Sequence, residues 1–322
     1  MQGFIEQGFI EMKDYNCIII LGPTAVGKTS IGVAVADRLN AEIISADSRQ
    51  TYKKLDIGSG KDLDEYCING RQIPYHLIDI VSLPEEYSVY KYQQDFYKAF
   101  NSITSRNRIP VIVGGTGMYI DAIVRDYKLV ILPENEELHK KLEATPLEEL
   151  AQRLLKEQPE LHTKCDLLEK DRVIKALEII EAKKNNVEST SVKRPEINPF
   201  IIGTTLPRPQ MWQNISIRLK ERLDNGMIEE VQGIHESGIT WERLEKLGLE
   251  YRFCSLYLQG KIKSKDELFE KLFIAIRQFA KRQETWFRMM EKKGVKIHWL
   301  NPGTKQERIG QALAMISENT SF

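Results

Sequence analysis

Cys17-Ile18-Ile19-Ile20-Leu21 runs into Gly22-Pro23-Thr24-Ala25-Val26-Gly27-Lys28-Thr29, and Ser30 through Leu39 follow without a break. The first five residues are a short apolar run, the pattern of a strand buried on both faces of a parallel sheet. The next eight fit G-x-x-x-x-G-K-[ST], a loop that cradles phosphate. The last ten carry Ile31, Val33, Val35 and Leu39 among small residues and read as a buried helix. The order strand, loop, helix gives the motif a mechanical meaning. Gly22 and Gly27 let the backbone curl so that its N–H groups converge on an anion. The helix start adds unpaired N–H groups and a partial positive charge. Lys28 is placed to hold a charged phosphate oxygen, and Thr29 a phosphate oxygen or a magnesium ion. The loop points to a polyphosphate or diphosphate and leaves the chemistry open.

A chain of 322 residues is long for one domain and suggests a core with an insertion or a second lobe. Lys+Arg and Asp+Glu both number 46, so bulk charge advertises no nucleic-acid partner and any basic site must be local. The four cysteines, Cys17, Cys67, Cys165 and Cys254, are far apart. They indicate neither a zinc site nor a disulfide framework, which suits a reducing cytoplasm. No apolar run approaches membrane-spanning length, and the start lacks the pattern of a secretory signal. Residues 2–6 and 7–11 repeat Gln-Gly-Phe-Ile-Glu, and Met12 follows at once. Residues 1–12 therefore read as a dispensable leader, and a chain begun at Met12 should fold and act normally.

Further along, Ala41-Glu42-Ile43-Ile44 reads as a second strand running into Ser45-Ala46-Asp47-Ser48-Arg49-Gln50-Thr51-Tyr52. Loops after the strands of an open α/β sheet gather at its C-terminal edge, where ligands bind, which places Asp47 beside the phosphate loop in a catalytic position. Asp56-Ile57-Gly58-Ser59-Gly60-Lys61 is a glycine-bearing loop with one cation near the same edge. Tyr75–Asp79 reads as a strand whose His76 is structural, and Tyr87–Ile103 as a helix. Pro110-Val111-Ile112-Val113 is a further buried strand ending in Gly114-Gly115-Thr116-Gly117, a turn that lets a hydroxyl and backbone N–H groups approach a ligand. Residues 129–190 are rich in Leu, Glu and Lys at helical spacing, with Pro133, Pro146 and Pro159 as breakers, and read as a helical insertion. Phe200-Ile201-Ile202-Gly203 returns the chain to the sheet. Arg218, Arg222 and Glu229-Glu230-Val231 lie on a helical stretch broken at Gly226. From Asp266 to Met290 an apolar stripe shares a helix with Arg277, Lys281 and Arg288, a cationic row able to track a phosphate backbone. The expected fold is α/β: a P-loop NTPase-like parallel sheet flanked by helices, built from residues 13–128 and 199–322, with an all-helical domain inserted at 129–198.

Taken together, the motifs resemble the tRNA dimethylallyltransferase family over nearly the whole chain after Asp14. The resemblance rests on segments 22–29, 45–52, 56–61 and 113–119, on Asp171-Arg172-Val173-Ile174-Lys175-Ala176-Leu177-Glu178, and on Arg277-Gln278-Phe279-Ala280-Lys281-Arg282-Gln283-Glu284-Thr285-Trp286-Phe287-Arg288. The family's usual Ile-Gly-Tyr-Arg/Lys turn stands here as Leu247-Gly248-Leu249-Glu250-Tyr251-Arg252. Asp62 replaces a common Pro, and Ser59 a common Thr. The resemblance implies transfer of a dimethylallyl group from dimethylallyl diphosphate to the exocyclic amine of the adenosine 3′ of the anticodon, in tRNAs reading U-initial codons. It implies that Asp47 is the base, that Arg218 and a magnesium ion help neutralise the diphosphate, and that Thr116 helps place a substrate. Asp47, Ser48, Arg49 and Gln50 are then expected to meet the adenosine and its neighbours. Asp171, Arg172 and Lys175 in the insertion, Arg252, and the row Arg277, Lys281, Arg282 and Arg288 are expected to meet the tRNA. The expected protein is a cytoplasmic monomer.

Three other functions compete. A P-loop kinase would need an apolar strand ending in an Asp as second magnesium ligand, and none stands out. An isopentenyltransferase of free adenine nucleotides would not need the helical insertion or the cationic row. An RNA-binding module with a relic loop would not need Lys28, Thr29 and Asp47 intact.

Overall fold

The structure, a computed structural model, describes residues 15–68, 70–129, 135–157, 167–184 and 193–322. The repeated leader, Pro133, Pro159 and Cys165 fall outside them. Five-residue segments, buried at every position but Pro199, form β1 (Cys17–Leu21), β2 (Glu42–Ala46), β6 (Pro110–Gly114) and β7 (Pro199–Gly203). A short hairpin of β3 (Cys67–Ile68) and β4 (Arg71–Gln72) stands apart. With the two-residue edges β5 (Tyr75–His76) and β8 (His298–Trp299), the four longer strands make a six-stranded parallel sheet ordered β5-β2-β6-β1-β7-β8.

Side chains alternate across this sheet. Ile18, Ile20, Val111, Val113 and Ile202 pack with Ile31 and Val35 of α1 (Lys28–Arg38) and Ala312 and Ile316 of α12 (Lys305–Asn319). Ile19, Ile44, Ile112 and Ile201 are equally buried on the opposite face, where α2 (Val89–Thr104) and α3 (Gly117–Val124) lie. His76 is structural as expected, its Nε2 2.7 Å from Glu42 Oε2. A second apolar cluster joins α7 (Arg208–Asp224), α8 (Met227–Glu236), α9 (Trp241–Glu245), α10 (Leu249–Leu258) and α11 (Lys265–Lys292). Gly226, at φ 98°, makes the break between α7 and α8 that the sequence marks.

Backbone contacts divide the chain into one unit up to Tyr127 and from Lys193 onward, and another over Lys128–Val192. The segment just before β7 groups with the sheet because Asn16 N–H donates to Asn198 O at 2.9 Å and Arg194 pairs with Asp126 at 3.2 Å. Within the second unit, α4 (Glu136–Ala144), α5 (Leu147–Glu157) and α6 (Lys170–Lys184) bury Leu142, Leu150, Leu154, Val173 and Leu177 together. Among the described residues no helix is long and apolar enough to cross a membrane.

Candidate active site

A parallel sheet delivers the loops after β1, β2, β6 and β7 to one edge, and the phosphate loop is the first of them. It enters α1 through Gly27, whose φ of 79° suits a residue without a side chain. Its backbone is held by side chains from four elements. Lys28 Nζ donates to Pro23 O at 2.6 Å, Gln283 Oε1 accepts from Thr24 N–H at 2.9 Å, and Asn214 Nδ2 donates to Ala25 O at 3.1 Å. The buried Arg308 of α12 donates to Val26 O and, at 2.9 Å, to Thr204 Oγ1. Ala25 is thereby kept at φ 61°, a left-handed conformation costly for a residue with a Cβ. The cradle is formed by the protein itself.

Because β2 and β6 are neighbours, Asp47 and Thr116 come together. Thr116 N–H donates to Ala46 O at 3.1 Å, and Ser48 N–H donates to Thr116 Oγ1 at 3.0 Å. Asp47 Oδ1 accepts from Arg49 N–H at 2.9 Å, which fixes the carboxylate at the cavity wall. Thr116 thus holds the loop that carries Asp47. Gln50 uses both ends of its amide inside the protein, accepting from Ser45 Oγ at 3.1 Å and donating to Gly60 O at 3.2 Å.

The opposite wall comes from α7. Arg218 and Arg222, four residues apart, share a helix face over Gly60. Gly60 stands at φ 64°, and a Cβ there would collide with the Arg222 guanidinium. Its loop is gripped by Glu230, whose carboxylate accepts from the N–H groups of Asp56 at 3.0 Å, Ile57 at 2.7 Å and Gly58 at 3.1 Å. The same carboxylate accepts from Tyr251 Oη at 2.8 Å. Lys61 is buried among Tyr52 O, Asp56 and Asp79, so the loop's one cation is structural. Glu230→Ala, which leaves three N–H groups and a hydroxyl without their acceptor, is expected to lower stability by about 2–3 kcal/mol in denaturant unfolding. A loss below about 0.5 kcal/mol would show that water replaces the carboxylate.

These loops enclose a cavity of about 590 Å³, within the range of small-molecule sites. One end is the phosphate loop with Lys28, Thr29, Arg218 and Arg222; Asp47 and Thr116 lie along the side; Leu249, Ile276, Phe279 and Trp286 add apolar wall. Crowding by protein strips water from the Lys28 ammonium and pushes its pKa down to about 8, against the opposing pull of Asp47. Burial, then the neighbouring Arg222, lowers the Arg218 guanidinium from its ordinary value. Burial raises the Glu250 carboxyl, although Arg222 Nη1 lies 3.6 Å from Glu250 Oε1. Two poorly solvated cations at one end make it a receptor for an anion.

Of the other cations singled out in the sequence, Arg49, Arg252 and Arg282 line this cavity. Arg277 and Lys281 lie instead over the Trp212 ring, at 4.8 and 6.0 Å from its centroid, and Arg288 is exposed further along α11. Glu284 takes a hydrogen bond from Thr205 at 3.3 Å. Asp171, Arg172 and Lys175 belong to α6 in the other unit, where Arg172 pairs with Glu169 at 3.1 Å and Lys175 with Glu178 at 3.3 Å.

The family model described as IPP transferase matches residues 50–290, and the one described as isopentenyl transferase matches residues 15–75. The chain belongs to the IPP transferase family. This IPP transferase is 49% identical over 296 residues to tRNA dimethylallyltransferase 2 of Treponema denticola, covering 91% of the chain and 98% of that protein. It is 49% identical over 285 residues to tRNA dimethylallyltransferase 1 of Syntrophus aciditrophicus, covering 88% and 93%. Among solved structures it is similar to the tRNA isopentenylpyrophosphate transferase of Bacillus halodurans, with a TM-score of 0.67, 30% identity and coverage of 95% and 97%. A eukaryotic dimethylallyltransferase acting on tRNA shares the fold, with a TM-score of 0.70 at 24% identity over 96% of this chain and 77% of that one.

Several site residues escaped the sequence reading. Asn214, Glu230 and Gln283 gave no local signal of their partners, which lie 189, 172 to 174, and 259 residues away in the chain. Arg308 was within reach. Thr304 and Glu307 form a capping box that marks the start of α12 and puts Arg308 in its first turn.

Proposed function

We propose that this IPP transferase moves a dimethylallyl group from dimethylallyl diphosphate to the exocyclic amine of an adenosine in tRNA, the one 3′ of the anticodon in tRNAs reading U-initial codons. The observation that carries this reading is that an anion-holding end, Lys28 with Arg218, and a carboxylate, Asp47, on the neighbouring loop line one and the same cavity. The amine nitrogen forms a bond to C1 of the allyl group as the C1–O bond breaks, and diphosphate leaves with the electron pair. Asp47 takes the amine proton. An adenine amine is a weak nucleophile, so holding it against C1 contributes more than basicity does. Lys28, Arg218 and the phosphate-loop N–H groups stabilise the charge that grows on the leaving diphosphate.

Thr29 puts a hard hydroxyl oxygen at the phosphate end of the cavity, which fits a magnesium ion bound by few protein ligands and completed by substrate oxygens. When bound, the ion would neutralise diphosphate charge. The adenosine must leave its stack to reach Asp47, and Ser48 and Arg49 stand where it would arrive. The residues assigned to the reaction all come from one chain, which supports reading the enzyme as a monomer, and a tRNA substrate supports a cytoplasmic location.

Incubation with labelled dimethylallyl diphosphate and either tRNA or AMP tests the assignment. Label is expected in tRNA; label only in AMP, or none in either, would overturn it. The cationic row gives a second test. Replacing Lys281 and Arg288 together by Gln is expected to raise the KM for tRNA and flatten its salt dependence, each lost phosphate contact removing about one unit of slope. The KM for dimethylallyl diphosphate should stay the same, since neither residue lines the cavity. Unchanged tRNA affinity at low salt would show that the pair only solvates α11.

A further inference from the structure

We propose that Gln283 is a positioning residue that locks the phosphate loop to the turn after β6, so that the loops flanking the reacting groups move as one body. Its amide oxygen accepts from Thr24 N–H at 2.9 Å and its amide nitrogen donates to Gly115 O at 2.8 Å. Both ends are therefore committed, and the amide has one orientation: turned over, it would set oxygen against oxygen and N–H against N–H. The side chain is 7% exposed, so water does not readily take its place. The bridge sits beside the chemistry. A Cβ added to Gly115 would lie 2.6 Å from Gln283 Nε2, 3.1 Å from Gly22 O and 3.4 Å from Lys28 Nζ.

Two consequences follow from the geometry. Thr24 N–H is spent on Gln283, so it is withheld from the anion, and the diphosphate must rely on the later N–H groups, Lys28 and Arg218. The bridge also sets the distance between two halves of the site. The diphosphate sits on the phosphate loop, while Asp47 sits on the loop that Thr116 holds, and Thr116 directly follows Gly115. The other anchors of the phosphate loop hydrogen-bond elsewhere: Asn214 to Ala25 O, Arg308 to Val26 O and Thr204, and Lys28, although it lies beside Gly115, to Pro23 O. Only Gln283 among these anchors ties the two loops together. Because it stands on α11 between Phe279 and Trp286, it also fixes the apolar wall in the same frame.

This inference rests on the proposed transfer reaction for its kinetic part and is independent of it for its structural part. The test compares wild type, Gln283→Met and Gln283→Glu. Met has the length without the hydrogen bonds. Glu can still accept from Thr24 N–H but opposes the Gly115 carbonyl and brings a negative charge near Lys28. In Gln283→Met, amide hydrogen exchange at Thr24 should speed up at least about tenfold, and kcat should fall about ten- to a hundredfold as the loops lose register. The KM for dimethylallyl diphosphate should change less than about threefold, because the other three anchors persist. In Gln283→Glu, Thr24 should stay protected while that KM rises and inorganic diphosphate binds more weakly in calorimetry. Unchanged Thr24 exchange in Gln283→Met, or a wild-type kcat per folded molecule with only a lower Tm, overturns the positioning role. If Gln283→Met does not fold, Gln283→Glu decides: a wild-type kcat with normal diphosphate affinity overturns the proposal. A wild-type protein that transfers nothing to tRNA fails the reaction and not the bridge, which the exchange data judge alone.

Discussion

Asp47→Asn lowers kcat for transfer to tRNA by about 10²–10⁴-fold in the expected result, the range a general base supplies. The substitution is chosen for what it keeps. An Asn at this position still accepts from Arg49 N–H, the bond that Asp47 makes at 2.9 Å. Thr116 still holds Ser48, so the loop and the cavity wall keep their shape. What disappears is the capacity to take a proton, and with it a negative charge facing Lys28. Measured well below pH 8, where Lys28 stays charged even without the upward pull of Asp47, the KM values for both substrates should move little while kcat collapses. A kcat within about threefold of wild type would mean that water or the leaving diphosphate takes the proton, and Asp47 would lose its role.

Lys28→Met should lower kcat/KM for dimethylallyl diphosphate by about ten- to a hundredfold, the loss of one charged contact to the leaving group, or about 1.5–3 kcal/mol. The pH profile separates this from a general loss of fold. The ammonium of Lys28 titrates at about 8 in the free protein, against an ordinary 10.5. Only the charged form holds the diphosphate. In wild type, kcat/KM should thus be level across the neutral range and fall as pH rises through about 8, and Lys28→Met should abolish that alkaline limb. Bound diphosphate favours the ammonium, so kcat at saturation should lack the limb or show it at higher pH. Lys28→Arg keeps the charge and should push the limb out of range. A wild-type profile flat to pH 10 would place the diphosphate away from Lys28.

Much of this molecule is legible one segment at a time. The apolar run Cys17–Leu21 and the glycine loop after it dictate a buried strand, an anion cradle and a helix, because sequence neighbours alone build them. The same holds for the strand 110–113, the break at Gly226, and the long helix with its apolar stripe. Asp47 was legible for a related reason: a loop that follows a strand in a parallel sheet has one place to go.

What the sequence could not decide is which side chains from distant segments close on those loops. Gln283, Asn214 and Arg308 reach the phosphate loop only because α11, α7 and α12 pack against it, and no local pattern encodes a hydrogen bond across 259 residues. Direction on a helix face was lost in the same way. Spacing aligned Arg277 with Lys281, but packing turned them over Trp212 and gave the cavity to Arg282, Gln283 and Trp286. The chain by itself determined the kind of site, since residues next to one another make a phosphate loop. The tertiary structure alone decided which distant side chains bond its loops and which arginines face it. Both depend on side chains meeting across the sheet edge, where packing sets the geometry.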